Sequence, residues 1–393
     1  MLMLGFHAFS DRLRRYSENL RKGGASVKSI NLNRGVRCAG EPAKGHNRWH
    51  GDITPALEVE PGEEVELETR DALDAQVTPS TDAADLLRID LGVVHPLTGP
   101  VFVKGAKLGD LLEVQIKELK PDKWGFTTQI PGFGFLRDEF PEPFIVKWQI
   151  ADGWATSAEL PGVRLRDGSF MGTIGVAPSE ELRREIVRRE EELHQRGGFV
   201  LPPDPAGAVP AVEPIASAGL RTIPPRENGG NLDIKQLSAG ARLLLPVFVP
   251  GALFSVGDAH FAQGDGESCG TAVEMSASVL VSFSLRKGEA ARSRVSFPRF
   301  ERDDYFMPPE IAAPRRFLAT TGMCIRDGVN ESENATLAAH HALMNMIALL
   351  MERGWSRQQA YAICSVAVDL RLSEVVDVPN YVVSALLPLA IFD

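Results

Sequence analysis

Residues 224–274 constrain this chain more than any other stretch: PPRENGGNLDIKQLSAGARLLLPVFVPGALFSVGDAHFAQGDGESCGTAVE. Acids, amides, a histidine and many glycines sit between strongly apolar runs. Polar side chains beside buried strands cost free energy unless they are paired or bind something. ARLLLPVFV has a β-rich pattern, Pro250-Gly251 marks a turn, and ALFSVGDAHF resumes the strand. Asp258 and His260 stand two apart, so on a strand they leave the same face and can reach one metal ion or one substrate. Gln263, Asp265 and Glu267 follow in a loop whose alternate glycines permit a tight turn. TAVEMSASVLVSFSL returns as a strand, so a hairpin carries Glu274 back towards Asp258 and His260. A D-x-H pair on a strand is also compatible with a salt-bridged surface pair. The convergence of Asp258, His260, Asp265, Glu267 and Glu274 on one hairpin favours a site.

The rest of the chain repeats the β signal. The segment ALEVE, then Pro61-Gly62, then EEVELETRD reads as a hairpin with one solvated face. The 36 glycines and 27 prolines in 393 residues favour turns and strands over long helices. The clearest helix of the first half follows Ser179, a natural N-cap, and stops at Gly197-Gly198. Residues 333–355 and 356–370 read as a helical hairpin, with Asn334, Ala338, His341, Asn345 and Ala348 on one stripe. The expected fold is β-rich α+β: antiparallel, sandwich-like sheets with a C-terminal helical hairpin. The expected division is a basic extension over 1–43, with an amphipathic helix at 8–22. A β-rich part follows over 44–219, with the helix 179–196 and a Pro-rich connector, and then a site-bearing β/α part over 220–393, intimately packed with it.

A net charge of −10 without a dense Lys/Arg run argues against nucleic-acid binding. The longest apolar run is broken by prolines and cannot span a membrane. Four cysteines without C-x-x-C spacing indicate neither a disulfide framework nor a cysteine zinc site, and fit a reducing cytoplasm. His46 and His50 flank Trp49 and can converge, and His95 sits where a strand meets a loop; a turn-capping role is the alternative for His95. Cys269 is a candidate nucleophile beside Glu267 or His260. A cupin-like, non-hydrolytic metal or ligand-binding module is a further alternative.

Several long motifs, in order, resemble the acetamidase/formamidase family: HNRWHGDITPALEVEPGEEVELETRD, HPLTGPVFVKGAKLGD, GFGFLRDEFPEPFIVKWQI, RENGGNLDIKQL, LPVFVPGALFSVGDAHFAQGDGE and SEVVDVPNYVVSALLPLAIF. The match is nearest to its formamidase branch and covers roughly residues 44–393. It implies hydrolysis of a short-chain amide, formamide first, to carboxylate and ammonia. It also implies a β-rich homo-oligomer (dimer, trimer or hexamer) and, in some members, zinc. Amide hydrolysis needs a polarised carbonyl, an activated water and a proton for the leaving amine. On local chemistry, Asp258, His260 and Glu274 are the expected ligands of zinc or another divalent metal, which lowers the pKa of water towards ~7. Glu267 or Asp265 is the expected general base. Asn228 and the Gly229-Gly230 amides are expected to cradle the oxyanion, with Asn231, Gln263, His46, His50 and His95 as further substrate contacts.

Overall fold

The computed structural model describes residues 27–307 and 314–392. The helix expected at 8–22 lies outside the described residues. Two large sheets face each other across one apolar cluster. The first has six strands in the order Lys28–Ile30, Glu64–Thr69, Ala277–Arg286, Leu111–Pro121, Arg242–Pro246, Arg299–Glu301. The second has eleven, and its spine runs from Arg164–Arg166 through Trp124–Gln129, Glu274–Met275, Phe254–His260 and Phe170–Gly175 to Gly229–Asn231. Both sheets combine strands from before and after residue 219. Leu67, Val114, Val279 and Val281 of the first sheet join Trp148, Met171, Ile174 and Val256 of the second in the shared core.

Strand sequences follow their surroundings. In Ala277–Arg286, Ala277, Val279, Val281 and Phe283 are buried and the residues between them are less so, the period-two pattern of a sheet with one covered face. Every residue of Phe254–His260 is buried, because this strand lies inside the molecule on both faces. The Pro250-Gly251 turn does not fold one strand back on its neighbour. It carries the chain from Arg242–Pro246 in the first sheet to Phe254–His260 in the second.

The helix after Ser179 spans Glu180–Gln195, and the Ser179 hydroxyl accepts from the Leu182 N–H. The C-terminal pair spans Ala335–Glu352 and Arg357–Ala367; Ser356 and Gln359 form a capping box on the second helix. The buried face of the first helix differs from the expected stripe. Ala338, Ala342, Leu343, Met346, Ile347 and Leu350 point inward, while Asn345 and Ala348 are exposed. Close packing fixes this rotation: a Cβ on Gly322 of the facing strand would lie 2.0 Å from the Ala338 carbonyl. Among the described residues, no helix is long and apolar enough to cross a membrane.

Candidate functional site

The site forms at a discontinuity in the eleven-stranded sheet. On one edge, Phe254–His260 pairs with Leu97–Val103 as far as Gly257↔Leu97, and then with Glu274–Met275 from Ala259↔Met275. Asp258 lies at the changeover, with φ +57 instead of an extended backbone. Neither neighbouring strand fills the gap, so strand ends meet there: His95 just before Leu97–Val103, Glu274 at the start of its strand, and Asn231 and Asp233 at the end of Gly229–Asn231. On the other edge Phe170–Gly175 places Gly172 opposite Asp258, where it has no side chain to intrude.

His260 is the centre. Its Nε2 lies 3.1 Å from Glu274 Oε2, 3.2 Å from Asp258 Oδ1 and 3.9 Å from Glu267 Oε1. Its Nδ1 is 2.9 Å from Gln263 Oε1 and 3.9 Å from Asp233 Oδ1. Gln263 donates through Nε2 to the Asp233 carbonyl, so its Oε1 is the atom turned to the ring. An acceptor at Nδ1 places the neutral ring's proton there and leaves the Nε2 lone pair facing three carboxylates. Such a cluster of acceptors needs a positive charge, either a proton on Nε2 or a cation.

The carboxylates carry the same signature. Among the described residues, and with the His260 proton on Nδ1, no donor reaches the buried Asp233 Oδ1 or Glu274 Oε2. Asp233, Asp258 and His260 offer ligand atoms within 4.8 Å of one another, as do His260, Glu267 and Glu274. Nitrogen and carboxylate-oxygen donors of this kind suit a divalent cation. With protons alone, burial pushes the Glu274 carboxyl up to about 7 and Asp233 up to about 6, His260 partly opposing both. Burial, reinforced by Asp233, holds Glu267 well above the usual range. For His260 burial works against the charged ring, but Glu274 and Asp258 outweigh it and raise its pKa well above 6.5. Burial also opposes the Asp258 carboxylate, and His95 and His260 together bring its pKa below the usual range. Burial lowers the pKa of His95 itself.

A second chain of contacts supports Asp258. The Thr173 hydroxyl lies 3.1 Å from Asp258 Oδ2, 2.9 Å from Asn231 Oδ1 and 3.3 Å from His95 Nδ1. These groups open into a cavity of about 100 Å³. Asp258, Glu267, Glu274, Asn231 and His95 form most of its polar wall, and Leu73, Leu91, Val94, Ile130, Phe133 and Ile223 most of its apolar one.

The other sequence candidates lie elsewhere. Asn228 donates to the Val176 carbonyl. Gly229 exchanges backbone hydrogen bonds with Arg226, and a Cβ on it would fall 2.5 Å from the Ile174 carbonyl. The Gly229-Gly230 step therefore serves close strand packing. His46 is a core histidine bonded to Ser255 Oγ at 2.8 Å, its pKa lowered by burial to about 4. His50 lines a separate groove with Phe102, Arg183 and Leu253. Asp265 turns to Lys235, 3.5 Å away. The Cys269 thiol is buried against Thr128 and Thr271 oxygens, burial raises its pKa, and it does not line the cavity. Asp233 and Thr173 are the residues that sequence reasoning missed. Asp233 had a visible signal, its place in the acid- and amide-rich segment RENGGNLD; Thr173 had none.

Residues 31–393 match the family model described as the Acetamidase/Formamidase family. The acetamidase of Mycolicibacterium smegmatis is 35% identical, over 86% of this chain and 88% of its own length. The formamidase of Methylophilus methylotrophus is 34% identical, over 88% of this chain and 89% of its own length. Among solved structures, a gamma lactamase from Delftia acidovorans superposes with a TM-score of 0.88 at 36% identity, covering 93% of each chain. With its fold, its motifs and nearly its whole described length in agreement, this chain belongs to the acetamidase/formamidase family.

Proposed function

We propose that the chain hydrolyses the C–N bond of a small amide, formamide first, releasing a carboxylate and ammonia. The observation that carries this reading is the His260 Nε2 atom, turned into a buried ring of carboxylates at the end of a cavity with room for only a few heavy atoms. Family membership and the names of the relatives support the reaction class.

Asp233, Asp258, His260 and Glu274 are the residues we assign to hold a divalent cation, zinc first. When bound, such a cation supplies a Lewis acid for the carbonyl and makes water more acidic. The chain's own groups supply the rest. Asn231, on the polar wall of the cavity, is the residue we assign to donate through Nδ2 to the amide carbonyl oxygen. Glu267, with its high proton affinity, passes a proton from the attacking water to the leaving nitrogen. Gln263 and Thr173 hold His260 and Asp258 in place, and the apolar wall excludes bulk water. A second reading, opening of a γ-lactam ring, draws support from the Delftia acidovorans relative and needs the same residues on a cyclic amide.

The test is ammonia release from formamide and acetamide, and ring opening of a five-membered lactam, by the purified protein and by His260→Ala. Turnover of at least one substrate, lost in the variant, is expected. No turnover of any of the three, or full turnover by His260→Ala, contradicts the proposal.

A further inference from the structure

One apolar side of the cavity has a fixed wall, and we infer that it faces the acyl group and that Phe133 sets the length of the acyl group the site accepts. This inference rests on the amide-hydrolase reading above. Phe133 lines the cavity beside Ile130, in a loop that crosses the segment leading from Glu267 to Glu274. Its ring lies directly on Gly270: a Cβ there would be 2.6 Å from Phe133 Cδ1 and 2.8 Å from Cε1. Gly270 has φ +92, so both backbone conformation and ring contact call for glycine.

The loop is tied down at each step around the ring. The Phe133 N–H donates to the Ile130 carbonyl at 3.0 Å, and the Phe135 N–H donates to the Ser268 carbonyl at 2.9 Å. The Leu136 N–H donates to the Tyr361 hydroxyl at 2.9 Å, and that hydroxyl donates in turn to the Ser268 carbonyl. A Cβ on Gly134 would lie 2.8 Å from the Cys269 carbonyl, so the two segments are in backbone contact. The ring is thereby held against the segment that carries Glu267. Phe133 is one of the apolar side chains that bound this cavity of about 100 Å³, and its fixed ring limits the room left for an acyl chain on that side.

Kinetics of Phe133→Ala and Phe133→Leu on formamide, acetamide, propionamide and butyramide test the inference. One methylene in an apolar pocket discriminates by roughly 10- to 200-fold. The ratio of kcat/KM for propionamide to that for formamide should therefore rise about 10-fold or more in Phe133→Ala, with Phe133→Leu between it and wild type. A proportional loss on all four amides, with a lowered Tm, would show that the ring only supports the fold and would overturn the inference. Ligand-observed NMR of propionamide and formamide binding to the same proteins separates the two levels of the argument. A binding ratio that shifts towards propionamide supports the wall even if neither amide is turned over, which would count against the hydrolytic reading alone. An unchanged ratio overturns the wall.

Discussion

Gly172→Ala places one methyl group at the base of the site. The added Cβ would stand 2.6 Å from Asp233 Oδ1, 2.8 Å from Asp258 Oδ2 and 2.9 Å from His260 Cε1, whereas ordinary contact begins at 3.4 Å. The differences are 0.8, 0.6 and 0.5 Å, so all three groups must retreat together or the strand must shift. None is the free end of an exposed side chain: Asp258 is bonded to Thr173, and His260 to Gln263. Overpacking of this kind costs about 1–3 kcal/mol, while a misplacement approaching 1 Å in a site can cost ~10²-fold in rate. The expected result is a protein with wild-type circular dichroism, a Tm only a few degrees lower, and kcat/KM on the preferred amide down about 100-fold. A stoichiometric divalent-metal assay on the same sample should show weakened retention. Full activity in a folded Gly172→Ala protein would refute the geometry, because the methyl cannot be added without moving these groups.

Gln263→Leu removes the acceptor that fixes His260 Nδ1; a lost ligand-orienting contact typically costs about 10- to 100-fold in metal affinity or activity, checked by metal titration and kcat. Cys269→Ala should keep turnover within a few-fold and lose about 1 kcal/mol of stability, read by urea unfolding; loss of turnover in a folded variant would reinstate the thiol as nucleophile. Chelated protein should lose stability as pH rises from 6.5 through the raised Glu274 value of about 7. The sign follows from the raised values of Glu274 (about 7), Glu267 and His260: the fold retains protons that the unfolded chain has already released, and loses that stabilisation as they leave. Saturating divalent cation, replacing those protons, should flatten the trend; a rise of Tm with pH in the chelated protein would contradict it.

The sequence made the hairpin of the site legible because its signal is local. The strand ending in Asp258 and His260, the glycine-rich loop and the return to Glu274 lie within one short run, and the register His260↔Glu274 follows from that proximity. Long-range features were not legible in the same way. Asp233 reaches His260 because Gly229–Asn231 pairs with Phe170–Gly175, a contact between distant segments that spacing cannot reveal. Thr173 carries no chemical signature, and its hydroxyl matters only through the three groups packed around it. The same limit explains His46 and the Gly229-Gly230 step. Their residue types suit a site, yet core packing and strand contact account for both. Alternation along Ala277–Arg286 and the cap at Ser179 follow from nearest-neighbour physics and were readable in the sequence.

The most direct measurement is ammonia release from formamide and acetamide by the purified protein, with bound metal quantified by mass spectrometry before chelation, after it, and after adding back zinc. The expected result is turnover that falls with metal content and returns with zinc. Undiminished turnover by metal-free protein would contradict the assignment of Asp233, Asp258, His260 and Glu274 as a cation site.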